Sequence, residues 1–326
     1  MNKFRKGVVV ALLVGLLMPN LMINAAKMLF QVPVASDPTG IPAETFNDGR
    51  YQEIRIRVKQ GNEVTEMELE AYLLGVVLGE MPASFEEEAL MAQAVVARTY
   101  TLRRREAKSK HDDADVCTDP ACCQAYVDPG SYDEENSDLQ KVYAAVTKTR
   151  GQVLTYEGKL IEATYFSSSG GRTEDAVAVW GSDVPYLQAV DSPETDYAHK
   201  YLSTVTFSQE AFQEKLGVKL PGRCEDWFGA VEYTGGGGVD TLEICGEVYE
   251  GIKLRQLLGL RSTAFSIEVS QGIITVTTRG FGHRVGMSQY GAEAMAVDGC
   301  TYEQILAHYY RNTQLEEFVD REEEFR

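Results

Sequence analysis

A single carboxylate, Glu80, stands in a break between two stretches of helical periodicity. On its N-terminal side Leu69, Tyr72, Leu73, Val76 and Val77 recur at helical spacing, and Pro82 pushes Met81 out of helical geometry, so a first helix should end near Gly79. On its C-terminal side Ser84 and Glu87 have the spacing of a capping box opening an alanine-rich helix through Leu90, Ala94 and Ala97. A carboxylate at such a break can project into a cleft, and packing against Leu78 and Met81 would desolvate it, leaving some protonated acid near neutrality. The same spacing suits a solvated turn residue or a helix cap. Glu86, Glu87 and Glu88 follow closely, but they fall in the first turn of a helix, where the dipole explains acidic side chains.

A second chemical cluster is HDDADVCTDPACC, which contains His111, Cys117, Cys122 and Cys123. The spacing His-x5-Cys-x5-Cys offers His111, Cys117 and Cys123 as three soft ligands, and zinc with a fourth, open position is chemically reasonable. Cys117 with Cys122 or Cys123 also has the makings of a disulfide, which an exported chain permits. Cys224 and Cys245 flank a glycine run and are close enough in sequence to pair.

The elements that must position these groups read as α+β, with no internal repeat. YQEIRIRVKQ alternates like a strand, residues 151–166 suggest a hairpin turning at Glu157-Gly158, and residues 262–278 supply more strand-like sequence. Helical patterns recur at 138–148, 208–216, 287–297 and 302–311. The glycines at 235–238 suit a hairpin turn better than a phosphate cradle, because no P-loop Lys and Ser/Thr follow. No G-x-S-x-G elbow is present, which argues against a serine hydrolase.

The 326 residues, 44% of them hydrophobic, suffice for one large domain or two intimate lobes. Lys3, Arg5 and Lys6 precede an apolar run from Gly7 to Ile23, read as a membrane anchor or signal segment over 1–26. Residues 27–50 read as a stalk or linker, and 51–326 as the remaining, exported region. A net charge of −18 argues against nucleic acid. A chain this acidic needs local cations in any cleft that takes an anionic ligand, which directs attention to Arg98, Arg172 and Arg284.

GEMPASFEEEALMAQAVVARTY (79–100), YFSSSGGRTED (165–175), VWGSDVPYLQAVDSPE (179–194), LLGLRST (257–263) and GFGHRVGMSQYGAEAMA (280–296) occur in this order, and together they resemble the stage II sporulation protein D family, which also includes amidase enhancers. The resemblance covers roughly Tyr51 to Arg311. It implies helices and antiparallel strands around a glycan-binding cleft, an uncleaved single-pass anchor, and a catalytic region outside the cytoplasm, between mother cell and forespore. It further implies a peptidoglycan lytic transglycosylase that cuts denuded strands to 1,6-anhydro-N-acetylmuramic acid ends during engulfment. The expected partners are the amidase stage II sporulation protein P and the membrane protein stage II sporulation protein M. Relatives also carry a zinc site at the positions of His111, Cys117 and Cys123, whereas Cys122 departs from their pattern. Because the glycosidic chemistry needs no metal, that zinc would be structural.

Glu80 is the expected single acid and base, since a lytic transglycosylase needs only one carboxylate where ordinary glycosidases use two. The family match points to Arg98, although a straight helix from Phe85 would carry it roughly 20 Å away, to a distant sugar subsite or a structural ion pair. Tyr165, Ser167 and Ser169 suit a loop that hydrogen-bonds sugar while an aromatic face stacks on it. His283, Gln289 and Tyr290 surround the start of a helix whose backbone amides would receive an acetamido or lactyl oxygen. Two rivals remain: a hydrolytic muramidase with a second carboxylate, and a non-catalytic, glycan-binding amidase enhancer.

Overall fold

The computed structural model describes residues 53–107, 110–194 and 202–320. The expected anchor (1–26) and stalk (27–50) lie outside them. Among the described residues no helix is long and apolar enough to cross a membrane.

The alternating segment forms β1 (Arg55–Gln60), which folds back antiparallel onto β2 (Glu63–Glu68). Two helices follow, α1 (Leu69–Glu80) and α2 (Glu87–Glu106). The short β3 (Val116–Cys117) then joins β1 in parallel. Next come α3 (Ser137–Lys148), β4 (Gln152–Tyr156), β5 (Lys159–Leu160), β6 (Tyr165–Phe166) and α4 (Ala176–Trp180). The β4–β5 hairpin turns at Glu157 and Gly158, both with positive φ as a type I′ turn requires.

A second group of elements comprises β7 (Leu202–Ser208), α5 (Gln209–Leu216), β8 (Phe228–Tyr233), β9 (Val239–Ile244), β10 (Glu247–Glu250), α6 (Gly251–Leu258), β11 (Phe265–Ser270) and β12 (Ile273–Arg279). They form two antiparallel three-stranded sheets, ordered β10-β9-β8 and β11-β12-β7. The glycines at 235–238 make the β8–β9 turn, with the Thr234 amide donating to Gly238 O at 2.9 Å. The chain closes with β13 (Met287–Ser288), α7 (Gln289–Val297), α8 (Tyr302–Tyr309) and β14 (Gln314–Glu317). β14 pairs antiparallel with β4, and β13 pairs in parallel with β6.

Two hydrophobic cores result. The larger gathers α1, α2, α3, β4, α7 and α8; α1 is buried along nearly its whole length from Leu69 to Val77, as its all-round apolar sequence demands. The smaller is built on Phe212, Trp227, Leu242, Leu254, Ile274 and Val276. Cys224 and Cys245 are separate free thiols in this second region, one buried and one exposed.

Two local expectations change. The helix expected to end near Gly79 runs one residue further, to Glu80. The Ser84–Glu87 capping box does not form. The Phe85 amide donates to Pro82 O at 3.0 Å, closing a turn over 82–85, and α2 begins only after Glu86. The Glu86 amide is satisfied instead by Glu293 Oε2 of α7, at 2.6 Å.

Arg98 lies wholly inside the larger core. Its guanidinium meets Glu70 in a fork, Nε to Oε1 at 2.8 Å and Nη2 to Oε2 at 2.6 Å, and donates further to Gln152 O and Val146 O. The sugar subsite suggested for Arg98 is therefore corrected to the other alternative, an ion pair that holds α1, α2, α3 and β4 together. Removing one member of a buried pair leaves the other charge uncompensated, so Arg98→Met should cost about 3–5 kcal/mol in chemical denaturation.

Glu68, buried beside Glu70 and 3.9 Å from Arg150, has its pKa raised to about 7, chiefly by desolvation and then by Glu70. The folded state thus holds this proton more tightly than the unfolded chain, so the group's stabilising contribution is full at low pH and disappears as pH rises through about 7. Urea titrations should show stability falling between pH 5 and 8 by up to about 3 kcal/mol, and Glu68→Gln, which still caps the Ala71 amide, should flatten that slope.

Candidate active site

Glu80 is the last residue of α1, because Pro82 holds Met81 extended at φ −124° and ψ 140°. Its side chain meets three segments far away in sequence. The Ala125 amide donates to Oε1 at 2.6 Å and Gln289 Nε2 donates to Oε2 at 3.3 Å, while the Tyr165 hydroxyl, which donates to Gln124 Oε1 at 3.3 Å, lies beside the carboxyl group and favours its ionised form. Burial raises the Glu80 pKa, and these three groups only partly offset it. Its place at the carbonyl end of α1 acts in the same direction as burial.

Small residues let those segments approach. A Cβ on Gly79 would meet the Tyr126 amide nitrogen at 2.8 Å, and one on Gly75 would enter the Tyr126 ring. Residues 125–127 can therefore lie flat along α1, fixed by the Val127 amide on Gly75 O at 3.0 Å and by Tyr126 stacking on Tyr72. Gln124, fully buried, donates to Tyr72 and Thr101, while its Oε1 lies 3.3 Å from the Tyr165 hydroxyl. On the other side β13 runs beside β6, with Met287 opposite Tyr165 and Ser288 opposite Phe166, which brings Gln289 to Glu80. Ser288 caps α7 by accepting from the Gly291 amide, and its own hydroxyl donates to the buried Glu194.

Glu80 opens onto a groove of about 860 Å³. Its walls include Tyr165, Ser167, His283 and Gln289, the cysteine-bearing residues 120–123, and the cations Arg104 and Lys110. A second carboxylate, Glu162, also lines it, paired with Arg104 and, at 4.0 Å, with Arg103. A groove of similar size, about 840 Å³, lies between α2, β4–β5 and β14; it contains none of the residues marked by sequence, and its Arg105 is tied to Asp320 at 2.6 Å.

His111, Cys117, Cys122 and Cys123 converge at the groove wall, their ligand atoms all within 4.8 Å of one another. His111 Nε2 is 3.6 Å from Cys122 Sγ and 3.7 Å from Cys123 Sγ, and the two sulfurs are 3.9 Å apart. A tetrahedral zinc with Zn–S of about 2.3 Å and Zn–N of about 2.0 Å would separate sulfurs by about 3.8 Å and sulfur from nitrogen by about 3.5 Å, so His111, Cys122 and Cys123 fit such an ion, with Cys117 Sγ within 4.8 Å of each as a further donor. Burial pushes the Cys123 thiol up to about 12; a cation bound there would reverse that by stabilising thiolate. Cys117 is anchored through β3 pairing with β1, and Lys110 Nζ holds Cys122 O at 3.0 Å.

The other marked residues divide. Tyr165, Ser167, His283 and Gln289 come together at the groove. Tyr165 is half-buried in the groove lining, with its hydroxyl donating to Gln124 Oε1. Ser169 is buried, its amide and hydroxyl both donating to Glu194 Oε1. Tyr290 packs edge-on against Phe85, outside the groove lining. The amides expected to receive substrate oxygens at the start of α7 are occupied, that of Tyr290 by Ser167 O and that of Gly291 by Ser288. His283 packs between Phe166 and Trp180, takes the Val285 amide on Nδ1, and is held neutral, its pKa lowered to about 4 by burial and then by Arg255.

None of Arg98, Arg172 and Arg284 lines the groove. Arg172 pairs with Asp191, and Arg284 is buried on Glu174 and three carbonyls, those of Ser169, Arg172 and Gly236. The groove's cations, Arg104 and Lys110, sit in stretches whose spacing gave no signal. The Ala125 amide was likewise invisible, since any residue supplies one. Cys122, set apart in the sequence as a departure, joins the cluster as a fourth donor.

A family model described as Stage II sporulation protein matches residues 58–156, which contain Glu80 and the cysteine cluster. Stage II sporulation protein D of Bacillus amyloliquefaciens is 44% identical over 78% of this chain and 76% of its own length. The protein of the same name from Bacillus subtilis (strain 168) is 40% identical over 87% of the chain and 84% of its own length. An amidase enhancer of Bacillus subtilis (strain 168) is 30% identical over 74% of the chain but only 40% of its own length. With 40–44% identity over 78–87% of its length to proteins of this name, this chain belongs to the stage II sporulation protein D family.

Proposed function

We propose that this chain is a peptidoglycan lytic transglycosylase that cleaves denuded glycan strands to 1,6-anhydro-N-acetylmuramic acid ends during endospore formation. The observation that carries this reading is the state of Glu80, a desolvated carboxyl group with a raised pKa, held by a donor on each oxygen and open to a groove of sugar-binding size.

In the proposed reaction, protonated Glu80 gives its proton to the glycosidic oxygen as the bond to C1 breaks. Glu80, now a carboxylate, takes the proton of the C6 hydroxyl of N-acetylmuramic acid, whose oxygen bonds to C1 and closes the anhydro ring. No water is consumed, and the enzyme ends with its acid reloaded. Oε1 is fixed by the short bond from Ala125, so the more loosely held Oε2 is the better proton carrier. Glu162 is the one other groove carboxylate among the described residues, and its pairing with Arg104 leaves Glu80 as the groove carboxyl suited to carry the proton.

Zinc held by His111, Cys117, Cys122 and Cys123 belongs to the same proposal. The ion would supply no step. Cys123 is separated from Ala125 only by Gln124, so fixing the cluster also fixes the amide that holds Oε1 and the glutamine that meets Tyr165. Anchoring through residues 1–26, an extracytoplasmic catalytic region, and action beside stage II sporulation proteins P and M complete the proposal and follow from the family resemblance.

Digestion of denuded glycan by the purified protein should yield products lacking the mass of one water relative to hydrolysis, and Glu80→Gln should lower the rate by about 10²–10⁴-fold while retaining fold. Equal cleavage by both proteins would end the proposal, and cleavage by neither would favour an amidase enhancer. Because the reaction starts from protonated Glu80, activity should fall as pH rises through its pKa. Tyr165→Phe removes a hydroxyl that favours the carboxylate, so the alkaline limb of the pH profile should move to higher pH. Cobalt exchanged into the protein should give the absorption of a tetrahedral thiolate site, and Cys122→Ser should weaken that band; chelation should lower activity together with protease resistance of residues 110–127.

A further inference from the structure

Two large aromatic side chains remain exposed in the groove that contains Glu80, and nothing in the acid chemistry uses them. Trp180 is 44% exposed and Phe281 is 49% exposed. Both are mounted rigidly. Trp180 ends α4, which is fastened by the Ala176 amide on Leu187 O at 3.0 Å and by the Ala189 amide on Asp175 Oδ1 at 2.7 Å. Phe281 exchanges both backbone hydrogen bonds with Ser168, at 2.7 and 3.2 Å, and the Arg261 guanidinium lies 5.5 Å from its ring centroid. The neutral His283 ring lies 5.5 Å from that of Trp180 and braces it.

Exposing such apolar area at fixed positions is costly unless a ligand covers it. The rings suit a partner with one apolar face and a hydroxylated edge, which describes the C–H faces of a pyranose chain. The surrounding polar groups, Ser167 and Lys110, would meet the edge. We infer that Trp180 and Phe281 form a stacking platform for the N-acetylhexosamine rings of a β-1,4-linked chain, which sets the strand in the groove with its scissile bond at Glu80. This rests on the transglycosylase reading for the identity of the chain, and it places further stacking surfaces outside the loop at 165–169.

The chain has two tryptophans, and the other, Trp227, is 1% exposed in the second core with Nε1 donating to Pro221 O at 2.7 Å. Tryptophan emission therefore separates the platform from the fold. Titrating the full-length protein with N-acetylglucosamine tetramer, which lacks the lactyl carboxylate, should give a saturable blue shift. Glu80→Gln should keep that shift, Trp180→Phe should abolish it, and Phe281→Ala should weaken the affinity by about tenfold with the Trp227 signal unchanged. A shift that survives Trp180→Phe, an affinity unaffected by Phe281→Ala, or no saturable shift at all would overturn the platform. Binding as expected without cleavage of denuded glycan would instead overturn the transglycosylase reading and leave the platform standing, whereas Glu80-dependent cleavage with wild-type KM in both aromatic variants would do the reverse.

Discussion

A carboxyl group at the carbonyl end of a buried helix has no local source of stabilisation, and the architecture around the groove follows from supplying one. The groups around Glu80 come from different parts of the chain: a backbone amide at 125 and an amide side chain at 289 that donate to it, and a phenol at 165 beside it. The two donors orient the group, one on each oxygen. They do not cancel its desolvation, so the acid remains poised to hold a proton. A glutamate paired with arginine, as Glu162 is, has its carboxylate form favoured instead.

The donors are themselves delivered by close packing. Gly75 and Gly79 allow residues 125–127 to lie against α1, and the parallel pairing of β6 with β13 places Tyr165 and Gln289 on the same side. Behind them stand groups whose charge never reaches the groove. Arg98 and Glu70 join the helices, and Arg284 gathers the carbonyls of Ser169, Arg172 and Gly236 around its bond to Glu174. Buried, fully hydrogen-bonded guanidinium groups of this kind act as fixed joints, because breaking either leaves a charge without solvent or partner. The arginines that stand out in the sequence are thus framework, and the groove takes its cations from Arg104 and Lys110.

The four-donor cluster connects the first sheet to the acid. β3 secures Cys117 to β1, the following turn places Cys122 and Cys123 against His111, and the chain then passes directly through Gln124 to Ala125. A structural ion here and the position of the Glu80 carboxylate would be a single mechanical problem, with no need for the metal to touch substrate.

Sequence by itself determined what depends on short-range physics. Pro82 ended α1 within one residue of its expected end, Glu157-Gly158 made the hairpin turn, and the α+β character and most helices followed from local periodicity. It also drew attention to Glu80 and the His/Cys cluster, where local spacing left a turn residue and a disulfide as alternatives and the ordered family blocks favoured an acid and a metal site. Only the tertiary structure decided which side chains share a groove. The Ser84 capping box lost to a tertiary hydrogen bond between Glu86 and Glu293, 207 positions apart. Ser169 turned inward to Glu194 while Trp180 and Phe281 stayed exposed, and Cys122 became a fourth donor. Which way a side chain points depends on the residues packed around its segment, and those lie too far along the chain for any local pattern to record them.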